Sequence, residues 1–230
     1  QDTPPGSVRH SKYDFAVAYP DPDNLPLESL IESVRAGFER EGRDLAYYSS
    51  PAGDPELRRL VADKLSRERN MKVTADDMVL TSGSGEAIGI VIQALTDPGD
   101  VVLVEEFVYL GTLNQMKRYG ADVVAVNCDD GGIIPESLDS VITDQTSKGK
   151  TVKYLYTIPM FQNPLGWTMD LERRKQVLEV TGKHGIPVFE DDCYADLRFE
   201  GESVTSFHSL DDTGRVVYVG SFSKIIAPGM

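Results

Sequence analysis

Cysteine is scarce in this sequence: Cys128 and Cys193 are the two cysteines among 230 residues. They lie far apart and lack the spacing of metal ligands, which excludes a disulfide-stapled scaffold and predicts a reducing, cytoplasmic location. No apolar run approaches the roughly 20 residues that cross a bilayer, and the polar stretch 1–11 lacks the apolar segment of a signal peptide. We therefore expect no membrane partner.

Positive charge is also in short supply. The 23 Lys and Arg residues are outnumbered by 37 Asp and Glu residues, which gives a formal net charge of −14. Such a surface repels phosphate backbones, so nucleic-acid binding is disfavoured. The 40% hydrophobic content is enough for one sizeable core. Because the chain begins at Gln1 rather than Met and stops at Met230 inside a turn-like sequence, we expect both ends to be cut.

The sequence changes character along its length. Residues 1–26 are rich in Pro and Asp and are expected to form an extended N-terminal arm. Residues 27–230 are expected to form one large domain. Apolar residues at helical spacing predict a first helix over 27–41. A second helix should follow, with Asp54 as its N-cap and Pro55 at its first position.

From residue 78 onward, short β-branched runs alternate with helical segments. This alternation predicts an α/β fold, with a mostly parallel sheet and helices on both of its faces. In such a sheet, ligands bind in the crevice at the carboxyl ends of the strands, so functional residues should follow the strands directly. The predicted strands are 78–80, 101–104, 123–126, 152–156, 187–189 and 216–219, and the predicted helices between them are 86–95, 111–119, 135–143 and 171–184.

Four sets of chemically useful residues do stand directly after predicted strands. They are the glycine-rich turn with Ser84 and Gly85, then Asn163, Asp191 and Lys224. The glycine-rich turn leads into a helix, where backbone N–H groups favour an anion. Asn163 offers an amide and Asp191 a carboxylate. A lysine that is removed from water becomes a usable amine nucleophile toward carbonyls.

Each of these features has a plainer explanation when taken alone. A glycine-rich strand-to-helix turn, an Asn-Pro turn and an exposed lysine are all common. The run Glu190-Asp191-Asp192 suggests a metal first, but no nearby His or further carboxylate completes a ligand set, so no metal is expected. Taken together, an anion cradle, an amide, a carboxylate and a lysine match a phosphorylated aldehyde that has a ring nitrogen.

Five ordered motifs give these residues a specific context. They are Tyr48 with Gly53 and Leu57-Arg58, Gly83-Ser84-Gly85-Glu86-Ala87, Asn163-Pro164-Leu165-Gly166, Asp191-Asp192-Cys193-Tyr194, and Ser221-Phe222-Ser223-Lys224. In this combination the chain resembles the class I/II aminotransferases of fold-type I, which depend on pyridoxal 5'-phosphate (PLP). It is most similar to the branch of the aminoadipate and kynurenine aminotransferases and the MocR-like regulators. The resemblance extends from Tyr19 to Met230.

The resemblance implies a role for each site residue. Lys224 would carry PLP as a Schiff base and later move the proton at the substrate Cα. Asp191 would pair with the pyridine nitrogen, and Tyr194 and Asn163 would hydrogen-bond the ring's hydroxyl oxygen. The other implied cofactor contacts are Ser84, Gly85, Ser221 and Ser223 at the phosphate, Tyr109 stacked on the ring, and Tyr48 reaching the phosphate of a partner subunit.

The resemblance also implies a reaction in amino acid metabolism and a set of partners. A homodimer would transfer an amino group from an amino acid to a 2-oxo acid. Another PLP reaction on the same scaffold, such as that of a lyase or decarboxylase, stays open, and so does a PLP-binding effector domain of a transcription regulator. Two parts of the family are expected but missing: the small C-terminal domain, and a phosphate-binding arginine just past Met230.

Overall fold

The computed structural model of the chain describes residues 18 and 20–228. The predicted N-terminal arm, residues 1–26, therefore lies largely outside the described residues. Its described part contains one turn of 3-10 helix at Pro22–Asn24. From there to residue 228 the chain is described without a gap.

Two helices precede the sheet, as the apolar spacing predicts. Helix α1 is Leu27–Glu41 and helix α2 is Pro55–Arg69. The predicted cap of α2 is confirmed, because the Asp54 carboxylate accepts the backbone N–H of Leu57 at 2.8 Å. This bond satisfies one of the N–H groups that a helix start leaves without an intrahelical partner. Helix α1 differs from α2 in that its own residues include no buried one.

A five-stranded, wholly parallel sheet forms the centre of the molecule. Its strands are five of the seven in the described residues: β1 Val101–Glu105, β2 Asp122–Val126, β3 Cys128–Asp129, β4 Gly132–Ile133, β5 Val152–Thr157, β6 Val188–Asp191 and β7 Val216–Val219. The order across the sheet is β2-β1-β5-β6-β7, and every neighbouring pair runs parallel. Strands β3 and β4 form a separate antiparallel hairpin that the sequence did not lead us to predict.

Helices cover both faces of this sheet, which confirms the predicted fold class. They are α3 Ser84–Leu95, α4 Leu110–Arg118, α5 Pro135–Ser147, α6 Leu171–His184 and the short α7 Phe207–Leu210. Alternate residues of β1 point to opposite sides: Leu103 packs in the cluster with α5 and α6, and Val102 in the cluster with α3 and α4. Of the helices described, none has the length and apolar character of a bilayer span.

The segment 78–80 was predicted to be a strand, and this prediction is wrong. Met78 has extended backbone angles (φ −122°, ψ 144°), but none of the described strands pairs with the segment. Its backbone bond instead joins the Leu80 N–H to the Ala52 carbonyl of a loop at 2.9 Å. An apolar run predicts an extended backbone, whereas a strand also needs a neighbour whose backbone completes the ladder.

All five strands of the sheet end at one edge, because parallel strands share their direction. The register places Thr157 beside Glu190 and Asp191 beside Val219. Asp191 is thus the last residue of β6 rather than the residue after it. The loops that leave this edge carry six residues with a predicted role: Tyr109, Asn163, Tyr194, Ser221, Ser223 and Lys224. Ser84 and Gly85 instead begin α3, after a segment that is not a strand, and Tyr48 precedes α2.

Candidate active site

Asp191 is a buried carboxylate at the edge of the sheet, with an exposed fraction of 4%. Both of its oxygens accept hydrogen bonds from the protein. The Cys193 thiol donates to Oδ1 at 2.8 Å and the Tyr156 hydroxyl to Oδ2 at 2.5 Å. Burial raises the pKa of Asp191, and these two bonds act against that rise. A buried carboxylate of this kind is stabilised by a cation placed against it.

The three consecutive carboxylates that suggested a metal site have different hydrogen-bond partners. Glu190 accepts the backbone N–H groups of Phe207 at 2.9 Å and His208 at 3.0 Å, on the opposite face of the sheet from Asp191. Asp192 accepts the Tyr218 hydroxyl at 3.1 Å. Within residues 18 and 20–228, no group of three His, Cys, Asp or Glu side chains is arranged to hold a metal ion.

Asn163 and Tyr194 come together from the loops after β5 and β6. The Asn163 amide donates to the Tyr194 hydroxyl oxygen at 3.3 Å. Burial raises the pKa of Tyr194, and the bond from Asn163 opposes the rise. Because the Tyr194 oxygen acts as an acceptor here, its own hydrogen stays available for a further acceptor. The pair can therefore bind an oxygen of a ligand between the two loops.

Hydrogen-bond donors of the kind that bind anions lie where α3 begins. Gly83 precedes the helix with φ 87°, a value that favours glycine. The first N–H groups of the helix, those of Ser84 and Gly85, have no intrahelical acceptor. Ser223 lies close by, because a Cβ added to Gly83 would be 3.9 Å from its hydroxyl oxygen. Within the loop after β7, the Ser221 hydroxyl accepts the Ser223 N–H at 3.2 Å.

Two further predicted residues flank this edge. Lys224 is half-buried, and its Nζ donates to the backbone carbonyl of Ala18 at 2.8 Å, so the arm reaches the lysine. Tyr109 precedes α4 with 47% of its surface exposed. Its ring covers Gly111, where an added Cβ would lie 2.5 Å from a ring carbon. A side chain at position 111 would push the ring out of this place.

A cleft of about 460 Å³ opens beside the start of α3. Its walls include Gly83, Ser84, Cys193, Ser221 and Ser223. The cleft thus joins the start of α3 to the serines of the loop after β7, whereas Asp191, the Asn163–Tyr194 pair, Tyr109 and Lys224 lie outside its lining. Tyr48 is also absent from this lining, and it is fully exposed at 106%.

A buried network that was not predicted from the sequence joins two loops of the site. Glu105 ends β1 with 1% exposure and accepts the Gln162 amide at 2.8 Å. The same amide donates to the carbonyl of Phe107 at 2.6 Å, so it ties the loop of Tyr109 to that of Asn163. Burial raises the pKa of Glu105 to about 7. A glutamate that ends an apolar strand was the available signal, since such a group needs partners.

Tyr156 is the other residue that was missed. It was predicted as part of a strand, and its contact with Asp191 gives it a place in the site. The signal was again present in the sequence, because a buried tyrosine hydroxyl generally requires a hydrogen-bond partner. The sequence does not show which residue that partner is.

Comparison with known proteins places this arrangement in context. A family model described as aminotransferase class I and II matches residues 15–228. The chain is 35% identical over 215 residues to aromatic-amino-acid aminotransferase 1 of Thermococcus litoralis, covering 94% of the chain and 52% of that protein. The chain therefore spans about half the length of this curated relative.

Solved structures show the same similarity in three dimensions. An archaeal alanine:glyoxylate aminotransferase superposes with a TM-score of 0.86 at 33% identity, covering 93% of this chain and 52% of that one. A kynurenine aminotransferase from Pyrococcus horikoshii, in complex with PMP, gives a TM-score of 0.84 at 34% identity with the same coverage. The sheet edge described above thus lies in a fold that these proteins share.

Proposed function

The chain belongs to the family of class I and II aminotransferases, and from this premise we propose that its site binds PLP and transfers an amino group from an amino acid to a 2-oxo acid. The observation that carries the proposal is the buried Asp191, whose two oxygens are both held by protein donors at the carboxyl edge of the sheet. Such a group is suited to a cationic ring nitrogen. The PMP bound to the similar kynurenine aminotransferase supports the choice of cofactor.

The residues present fit this cofactor group by group. The helix start at Ser84 and Gly85, with the hydroxyls of Ser221 and Ser223, offers N–H and O–H donors to a phosphate. The Asn163–Tyr194 pair offers donors to the ring's hydroxyl oxygen, and Tyr109 supplies an aromatic face. The amine of Lys224 is the nucleophile that an aldehyde requires.

PLP, when bound, withdraws the electrons left at the substrate carbon once its proton has been removed. The chain's own residues would prepare this step. Asp191 would keep the proton on the ring nitrogen. Tyr194 would hold the ring through its free hydrogen. Lys224 would anchor the cofactor and then move the proton at the substrate Cα.

We place this function in one large domain that starts at residue 27, with residues 1–26 as an arm. The bond between Lys224 and Ala18 supports an arm that contacts the site at Ala18. Cys128 and Cys193 are both free thiols, which supports a reducing, cytoplasmic location. The cellular substrates would be one amino acid and one 2-oxo acid.

We also propose a homodimer in which Tyr48 reaches the phosphate bound by the partner subunit. The exposed tyrosine supports this arrangement, and so does an apolar stripe on α1 formed by Leu27, Ile31, Val34 and Phe38. Each residue of the stripe has more than half of its surface exposed in the single chain. Apolar surface of this extent is typical of a face that another surface covers.

Mixed dimers test the position of Tyr48. We expect Tyr48→Phe to weaken PLP binding about tenfold, because it removes one hydrogen bond to a charged group. A heterodimer of a Tyr48→Phe subunit with a Lys224→Ala subunit would have one site with both residues intact. An absorbance titration of differently tagged, co-purified heterodimers should therefore show one site of normal affinity. A monomer in sedimentation velocity would contradict the proposal, and so would a heterodimer that binds as weakly as the Tyr48→Phe homodimer.

The proposed function itself is tested by trapping the cofactor. We expect the purified protein with added PLP to show a visible absorbance band that borohydride removes, because reduction fixes the bond between the aldehyde and an amine. Peptide mapping should then find the pyridoxyl group on Lys224. Modification spread over exposed lysines such as Lys183, with none on Lys224, would overturn the proposal.

A further inference from the structure

Strand β5 carries two buried tyrosines that look equivalent in the sequence. Tyr154 and Tyr156 are both fully buried, and being two residues apart they lie on the same face of the sheet. Both pack edge-on against Phe189, with ring centroids 6.0 Å and 5.3 Å away. Each hydroxyl also has a threonine partner, Thr96 for Tyr154 at 3.2 Å and Thr112 for Tyr156 at 3.1 Å.

The two tyrosines differ in one contact. The register places Tyr156 beside Phe189, and Asp191 lies two residues further along β6 on the same face. The Tyr156 hydroxyl therefore reaches Oδ2 of Asp191 at 2.5 Å. For Tyr154 the structure records the Thr96 contact.

The direction of the bonds around Tyr156 follows from the number of hydrogens. A tyrosine hydroxyl has one hydrogen, and Tyr156 donates it to Asp191. The hydrogen between Thr112 and Tyr156 must then come from Thr112. Burial, and secondarily the negative charge of Asp191, raise the pKa of Tyr156 well above its usual value, so its proton stays on the oxygen. Thr112 and Tyr156 thus form a short relay of donors that ends on the carboxylate.

We infer that Tyr156, oriented by Thr112, is a positioning residue that holds the Asp191 carboxylate ionised and aimed at the cofactor's ring nitrogen. This inference rests on the proposed function. Hydrogen bonds to an ionised carboxylate favour its charged form. Donors fixed by packing also hold the group in one orientation before the ligand arrives. Cys193 would steady the other oxygen in the same way.

The experiment compares two ligands in three proteins. The ligands are PLP and its 1-deaza analogue, in which CH replaces the ring nitrogen. The proteins are the unchanged chain, Tyr156→Phe and the matched control Tyr154→Phe. Dissociation constants are measured by absorbance titration for PLP and by competition for the analogue, and thermal unfolding is followed for all three proteins.

We expect Tyr156→Phe to bind PLP about tenfold more weakly, the factor for a lost hydrogen bond to a charged group. Its affinity for the 1-deaza analogue should be unchanged, because Asp191 has no ring nitrogen to pair with. Tyr154→Phe should change neither constant, although it also loses a buried hydroxyl. A purely structural role of Tyr156 predicts equal weakening for both ligands, and that result would overturn the inference.

The outcomes separate this inference from the proposed function. If the unchanged protein binds no PLP, both are overturned. If it prefers PLP to the analogue and Tyr156→Phe keeps that preference in full, the inference alone is overturned. Thr112→Val, which leaves the Tyr156 ring and hydroxyl in place, is the second variant if Tyr156→Phe does not fold. Thr112→Val should weaken PLP binding less than Tyr156→Phe does, and it should leave the affinity for the analogue unchanged. Unchanged PLP binding in a folded Thr112→Val protein would contradict the relay.

Discussion

Replacing Lys224 by Ala is expected to abolish the covalent attachment of PLP and to lower turnover by about 10⁴-fold, the upper end of the effect of a positioned proton-transfer group. Lys224 leaves the carboxyl edge of the sheet just after β7, and its amine is half-buried beside the arm. The variant loses both the amine that reacts with the aldehyde and the base that moves the substrate proton. Borohydride trapping and steady-state kinetics measure the two losses separately.

Two controls make the Lys224 result specific. Lys183→Ala removes an exposed lysine that pairs with Asp139 on a different part of the surface, and it should retain full turnover. Small primary amines added to Lys224→Ala should restore part of the rate, with stronger bases more effective, because proton transfer follows basicity. A Lys224→Ala protein that is folded by circular dichroism yet turns over normally would show that another residue performs the chemistry.

The sequence predicted the sheet well because its evidence is local. Each of the five strands of the parallel sheet is a short apolar run next to helical segments in the sequence, and the structure has a strand at each of these runs. The exception, segment 78–80, has the same local pattern but no partner strand among the residues described. Pairing is a property of two segments, so one segment's composition cannot establish it.

For the candidate site, too, the sequence predicted positions only where the evidence is local. The position of Asp191, Asn163 and Lys224 at one edge could be expected because a parallel sheet collects its strand ends there, and their roles stay predictions. Tyr156 and Glu105 were missed because their roles depend on contacts across the sheet, with partners 35 and 57 residues away in the sequence. Tyr154 and Tyr156 cannot be distinguished by their local sequence, and only the register of β5 against β6 separates them.

Replacing Asp191 by Ala should separate cofactor attachment from cofactor chemistry. The covalent link to Lys224 should still form, because the reacting aldehyde and amine are untouched. Turnover should fall by about 10³-fold, the cost of removing one strong electrostatic contact from a catalytic site. Without the carboxylate, a protonated ring nitrogen is no longer favoured in this buried place, so the ring withdraws electrons from the substrate carbon less effectively. Borohydride trapping at Lys224 and the turnover number are the measurements.

A charged analogue identifies the reason for the loss in Asp191→Ala. An N-methylated form of PLP has a fixed positive charge on the ring nitrogen and does not need a carboxylate to keep a proton there. It should therefore restore much of the rate in Asp191→Ala while giving no gain in the unchanged protein. The adjacent Asp192→Asn is the matched control, because Asp192 is also buried but bonds Tyr218, and its effect on turnover should be much smaller. Unimpaired turnover in Asp191→Ala would remove Asp191 from the mechanism, whereas a loss that the N-methylated analogue leaves uncorrected would mean that Asp191 acts by shaping the site rather than by its charge.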